Sequence, residues 1–131
     1  EDIIAVIDAL PKSQFKVIPS MSFGRFSKLL KNAACIVGNS SAGVREAPFL
    51  GVPSLDVGSR QSDRAFGPSI TKADAGQQDK IARFLQQNWH SRHPRQTEFG
   101  HGNATQKFID ILKSDAFWQR SMQKYFNDFV Q

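Results

Sequence analysis

The sequence predicts an α/β fold, a Rossmann-like parallel sheet flanked by helices. Two observations predict it. Short apolar runs of strand character, Phe15-Lys16-Val17-Ile18, Ala34-Cys35-Ile36-Val37 and Pro53-Ser54-Leu55-Asp56-Val57, alternate with segments of helical period. The order is then α-β-α-β-α-β followed by helices, which gives parallel strands with helices on the sheet faces. The second observation is the stretch Gly38-Asn39-Ser40-Ser41-Ala42-Gly43, a small-residue turn between a strand and a helix start. A complete doubly wound sheet has about six strands. Only three or four are visible, so the chain is expected to be the later part of such a domain. Its opening on Glu1 rather than Met fits a piece of a longer protein.

Each element has a local cause. Ile3, Ile4, Val6, Ile7 and Leu10 recur at helical spacing, and Pro11 and Ser13 end that helix. Phe15 to Ile18 reads as a short strand closed by Pro19. Ser22 can cap a helix whose apolar positions are Phe23, Phe26, Leu29, Leu30 and Ala33. The strand at 34–37 leads through the serine turn into a helix from about 42 to 50, stopped by Gly51 and Pro53. A strand at 53–57 ends at Gly58, and residues 59–67 form a polar loop with two arginines. Ser69-Ile70-Thr71 is a very short fourth strand. Gly76 to about Trp89 is a helix with Ile81, Phe84, Leu85 and Asn88 on one side. Residues 90–102 are loop, and two helices at 104–112 and 116–129 close the chain.

Composition narrows the function classes. The 131 residues make one domain or part of one, with 40% hydrophobic and 22% charged residues, as in ordinary globular proteins. No apolar run approaches the roughly 18 residues of a membrane span, and no signal peptide is visible. The expected setting is therefore cytoplasmic, without a membrane partner. The single cysteine, Cys35, excludes an internal disulfide and reads as a buried apolar filler. The net charge of +5 invites a nucleic-acid reading. The cations are scattered, however, and read better as a solvated surface plus a local anion site, so no nucleic-acid partner is expected. His90, His93 and His101 lack metal-type spacing, and no metal is expected. The absence of GxGxxG and of a Walker lysine argues against NAD and P-loop chemistry.

Ligands of open α/β sheets sit beyond the carboxyl ends of the strands. Three predicted loops leave such ends, 19–23, 38–43 and 58–67. The first N–H groups of a helix have no intrahelical partner and attract anions. The 38–43 turn therefore reads as a phosphate cradle, with the hydroxyls of Ser40 and Ser41 as added donors and Gly43 within it. Glu46 repels the same anion, which points to ligand hydroxyls beside it. A phosphate next to a diol describes a nucleotide. Arg60 and Arg64 supply guanidinium forks suited to phosphate oxygens, and Phe23 or Phe26 can stack on a base. Asp56 is a weaker candidate near a strand end. Each residue also has a plain reading: Ser40 as a helix cap, Glu46 offsetting the helix dipole, the arginines as solvated charges, Phe26 as core. Arg45 reads as surface. No positioned acid and base can be assembled from these residues, so no catalytic residue is assigned and the crevice reads as a binding half.

The run Gly38-Asn39-Ser40-Ser41-Ala42-Gly43-Val44-Arg45-Glu46-Ala47-Pro48, with Gly51-Val52-Pro53 and Gly58-Ser59-Arg60-Gln61-x-x-Arg64, closely resembles the UDP-N-acetylglucosamine 2-epimerase family. Upstream Phe23-x-x-Phe26-x-x-Leu29-Leu30-x-Asn32-Ala33 and downstream Phe99-Gly100-x-Gly102-Asn103-Ala104 fit as well, so the likeness runs from about residue 15 to 112. The Asn-Ser-Ser-Ala-Gly form and the Gly-x-Arg-Gln-x-x-Arg loop resemble the hydrolysing branch. Non-hydrolysing members more often carry Asp-Ser-Gly-Gly and a Thr-Glu-Arg-Pro loop, which this chain lacks.

The resemblance implies a two-domain fold of the glycosyltransferase-B type, with this chain as the C-terminal UDP-binding domain and an N-terminal domain elsewhere. It implies that Ser40 and Ser41 bind the diphosphate, that Glu46 accepts from the ribose hydroxyls, and that Phe26 packs on uracil. Arg60 resembles a phosphate-side arginine, with Arg64 less closely matched. The implied reaction converts UDP-N-acetylglucosamine and water to N-acetylmannosamine and UDP, feeding sialic-acid-type sugars. No cofactor is expected, the UDP-sugar being the substrate, and a homo-oligomeric full-length protein is expected. The alternatives are a non-hydrolysing epimerase, a glycosyltransferase-B donor domain, or a non-catalytic binding module.

Overall fold

The structure, a computed structural model, describes residues 2–89 and 91–123. The chain divides into two units, 1–96 and 97–131. In the first unit the described elements are α1 (Asp2–Asp8), α2 (Phe23–Asn32), β1 (Ile36–Gly38), α3 (Ser41–Val44), α4 (Glu46–Phe49), β2 (Ser54–Val57), β3 (Ile70–Ala73) and α5 (Gln78–Asn88). The second holds α6 (Ala104–Leu112) and α7 (Asp115–Trp118).

The predicted parallel α/β sheet is present. β1, β2 and β3 pair in sequence order, all parallel, with Gly38 opposite Asp56 and Asp56 opposite Lys72. Side chains of a strand alternate between faces, and each sheet face carries its own core. On one face Leu30, Ala47 and Val52 are packed by Phe26, Ile36 and Leu50. On the other, Leu55, Ala73 and Phe84 are packed by Cys35, Val57, Ile81 and Leu85. The expected stripe of α5 is thus borne out. Each fully buried Leu, Val or Phe contributes about 1.5–3 kcal/mol. Burial pushes the Cys35 thiol up, which keeps it protonated at neutral pH and suits the filler reading.

Four expectations change. Phe15 to Ile18 is not a strand, because a strand needs a ladder partner and none of the three strands supplies one. Instead the N–H groups of Gln14 and Phe15 close turns onto Pro11 O, at 2.9 and 3.0 Å, and Phe15, Val17 and Ile18 stay exposed. Loop 19–23 therefore does not leave a strand end. The helix expected from 42 to 50 is two short helices broken at Arg45, whose φ and ψ are −116° and −63°. Pro48 causes the break: it has no N–H for the Val44 carbonyl, and its ring crowds that oxygen. The fourth strand runs longer and later than expected, Ile70–Ala73. In the second unit α7 ends at Trp118 rather than running on. Beyond it the Ser121 hydroxyl accepts from Gln123 N, a local bond that competes with helix. Residues 124–129 of that expected helix lie outside the described residues.

Candidate functional site

Two loops leave the carboxyl edge of the sheet side by side, 39–40 after β1 and 58–69 after β2. Gln61 ties them together. Its side chain is fully buried, and Nε2 donates to Asn39 O at 3.0 Å. Its Oε1 accepts a long 3.5 Å bond from Arg64 Nη1. Asp63 turns the loop with a left-handed φ of 61°, which Asp tolerates better than most residues.

The serine turn behaves partly as a cap. Ser40 is the N-cap of α3, and its hydroxyl oxygen accepts from Ala42 N at 3.3 Å. The hydroxyl hydrogen is still able to donate. Ser40 is exposed and Ser41 half-buried at the mouth of the turn. Because α3 has four residues, its dipole is small, and anion attraction here rests on local N–H and O–H groups rather than on a long helix.

Gly43 is buried against β2, where a Cβ would stand 2.8 Å from Ser54 Oγ. That oxygen is itself buried without a hydrogen-bond partner. Gly43→Ala should therefore destabilise by about 1–2 kcal/mol through overpacking, while Ser54→Ala alone should be near neutral. The double variant should recover most of the loss, as read by urea denaturation of the full-length protein.

Glu46 opens α4 and is half-buried, with Oε2 buried and unpartnered among the described residues. A buried carboxylate oxygen without donors is costly, and native structures rarely leave one so. An ionised carboxylate only accepts, so any partner of this oxygen brings O–H or N–H groups. Phe26 packs on the cluster containing Ala47, the residue after Glu46, and is half-buried. Its plain role as core is thus realised, next to the Glu46 position. Arg60 and Arg64 stand exposed on the loop that Gln61 anchors. Arg45 is exposed, as expected.

Asp56 carries more than its spacing announced. It is buried on β2, and both carboxylate oxygens lack partners among the described residues. Burial pushes its carboxyl above the ordinary Asp value of about 3.9, against the opposing pull of Lys72 on β3. A raised folded pKa favours the folded state below the unfolded value, and that advantage is lost as pH rises through the folded one. Asp56→Asn should therefore gain stability relative to the parent as pH rises above about 4, in paired urea titrations across pH.

Sequence reasoning missed the burial of Gln61, since a glutamine between two arginines in a polar loop gives no burial signal. It also missed the exit of β3. Gly58, Ser59, Ser62, Lys72, Asp74, Gln77 and Lys80 line a cleft of about 240 Å³ there, apart from the predicted residues. Only the extended fourth strand reveals it. Among the described residues no group of three His, Cys, Asp or Glu side chains is placed to hold a metal ion, and His90 lies outside them. None of the described helices is long and apolar enough to cross a membrane.

A family profile described as UDP-N-acetylglucosamine 2-epimerase matches residues 1–113. The UDP-N-acetylglucosamine 2-epimerase of Neisseria meningitidis serogroup B is 37% identical over 131 residues, covering 98% of this chain and 35% of the relative. The GDP/UDP-N,N'-diacetylbacillosamine 2-epimerase (hydrolyzing) of Campylobacter jejuni is 28% identical over 71 residues, 54% of this chain and 18% of the relative. The chain thus spans about a third or less of the length of these relatives. With the profile covering most of its residues, the chain belongs to the UDP-N-acetylglucosamine 2-epimerase family.

Proposed function

We propose that this chain is the C-terminal, UDP-binding part of a hydrolysing UDP-N-acetylglucosamine 2-epimerase. The observation that carries the reading is the buried, unpartnered Glu46 Oε2, five residues from the Ser41 hydroxyl. A nucleoside diphosphate brings what that pair calls for, two ribose hydroxyls to donate and phosphate oxygens to accept. Ser40, Ser41 and the Gly43 turn hold the diphosphate, Arg60 and Arg64 approach its outer oxygens, and Phe26 packs on uracil.

The reaction breaks the sugar C1–O bond, the pair of electrons leaving with UDP while C2 loses its proton, so that a glycal-like sugar remains. Water then returns a hydroxyl to C1 and a proton to the opposite face of C2, giving N-acetylmannosamine. Negative charge grows on the diphosphate in the first step, and donors fixed on it lower that barrier. The acid and base that move the C2 proton belong to the rest of the protein. Two features support the hydrolysing branch: the Gly58-x-Arg60-Gln61-x-x-Arg64 loop and the hydrolysing activity in the name of the Campylobacter relative. The same proposal includes a cytoplasmic setting and a homo-oligomeric full-length protein.

Incubating the full-length protein with UDP-N-acetylglucosamine in D2O tests it by NMR. Free N-acetylmannosamine carrying deuterium at C2, released with UDP in equal amounts, is the expected result. A UDP-linked epimer would assign the non-hydrolysing branch instead, and sugar transfer to an acceptor would assign a glycosyltransferase.

A further inference from the structure

We propose that Gln61 is a positioning residue for the nucleotide site: it fixes the orientation of the peptide between Asn39 and Ser40 and so aims the serine turn. The inference rests on the nucleotide reading of that turn. In a planar trans peptide the carbonyl and the following N–H point in opposite directions. Gln61 Nε2 holds Asn39 O at 3.0 Å across 22 residues of chain, so the Ser40 N–H is directed away from the 58–69 loop. The 39–40 peptide turns about Asn39 ψ and Ser40 φ, and the bond to its carbonyl restrains both. Gln61 is fully buried. Its other amide atom, Oε1, reaches Arg64, so one side chain sets both a turn peptide and an arginine.

Burying a glutamine in a loop is costly unless both ends are bonded, and an apolar residue would fill the same space. Here both ends are bonded, which an apolar filler could not do.

Two variants of the full-length protein separate positioning from filling. Gln61→Met keeps the volume and loses both hydrogen bonds. It should fold, with a melting temperature close to the parent's, yet bind UDP about tenfold more weakly by calorimetry, the scale of losing one oriented donor. Gln61→Glu keeps shape and the acceptor for Arg64, but donates to Asn39 O only when protonated. Its UDP affinity relative to the parent should be near one at low pH. It should fall as the buried carboxyl ionises above about 4.3, the unperturbed Glu value. KM for the UDP-sugar should rise in Gln61→Met more than kcat falls.

A parent protein that does not bind UDP overturns the nucleotide reading, and the inference with it. A parent that binds UDP beside a folded Gln61→Met that binds equally well, or a Gln61→Glu ratio flat with pH, overturns the inference alone. Should neither variant fold, the parent's Gln61 side-chain amide decides by NMR. Its Hε2 signals should be protected from exchange and should shift on UDP addition together with the Ser41 amide, and unmoved signals overturn the inference.

Discussion

Glu46→Ala is expected to leave the ligand-free protein as stable as the parent or slightly more so, while UDP affinity falls by about 10- to 100-fold. The two effects have one cause. Oε2 is a buried acceptor without a donor, so in the free protein the carboxylate carries a desolvation cost that the variant removes. On the proposed reading the same oxygen would accept from a ribose hydroxyl in the complex, and one such bond to a charged acceptor is worth about 1.5–3 kcal/mol. The check is a double-mutant cycle with 2'-deoxy-UDP and 3'-deoxy-UDP. The parent should prefer UDP over one or both deoxy compounds, and Glu46→Ala should abolish the preference. Pyrophosphate binding should change little. A parent indifferent to both deoxy compounds would remove Glu46 from the ribose.

Gly51→Ala is expected to destabilise the fold by about 3 kcal/mol or more, through backbone strain and a collision together. α4 ends in a Schellman motif: Val52 N donates to Ala47 O at 2.9 Å and Gly51 N to Pro48 O at 3.1 Å. Gly51 takes the left-handed φ of 68° that the motif requires. A Cβ there would also run into the carbonyl oxygen of His93. That oxygen cannot retreat. His93 N donates to Gly51 O and Gln96 N to Pro48 O. The Arg92 guanidinium donates to Ala33 O and Ala34 O, Arg95 lies 3.6 Å over the Phe49 ring, and Gln96 Oε1 accepts from Ser69 Oγ at 2.6 Å. Gly58→Ala is the control: φ is 89°, but nothing lies within 4 Å of its Cβ. It should lose only the backbone part, about 1–2 kcal/mol. Urea denaturation of both full-length variants separates collision from strain, and equal losses would show that His93 yields.

The sheet was legible where strand and helix periods were clean. Ile36 and Leu55 announced their strands by short apolar runs, and Ile81, Phe84 and Leu85 their burial by helical spacing. Phe15 to Ile18 had the composition of a strand, but pairing depends on a partner that composition does not reveal. Pro48 is visible in the sequence, but the apolar pattern around it predicts one helix, and only its clash with the Val44 carbonyl makes two. At the site, small residues after a strand marked the Ser40–Gly43 turn, and the sign of Glu46 marked a second kind of contact. Gln61 and Asp56 stayed hidden because polar residues signal exposure, and only coordinates show a polar side chain enclosed. Arg92 and Arg95 were unreadable for another reason: their partners lie some 50 residues earlier in the chain, beyond any local pattern.

That last feature bears on how the protein is made. A nascent chain leaves the ribosome amino end first, so the sheet and the paired half-helices emerge before the strap at 92–96 that fastens them. Until Arg92 arrives, Ala33 and Ala34 lack its hydrogen bonds, across 59 and 58 residues of chain. During synthesis the region therefore has an interval as an open clasp, in which Phe49 still lacks the Arg95 guanidinium over its ring.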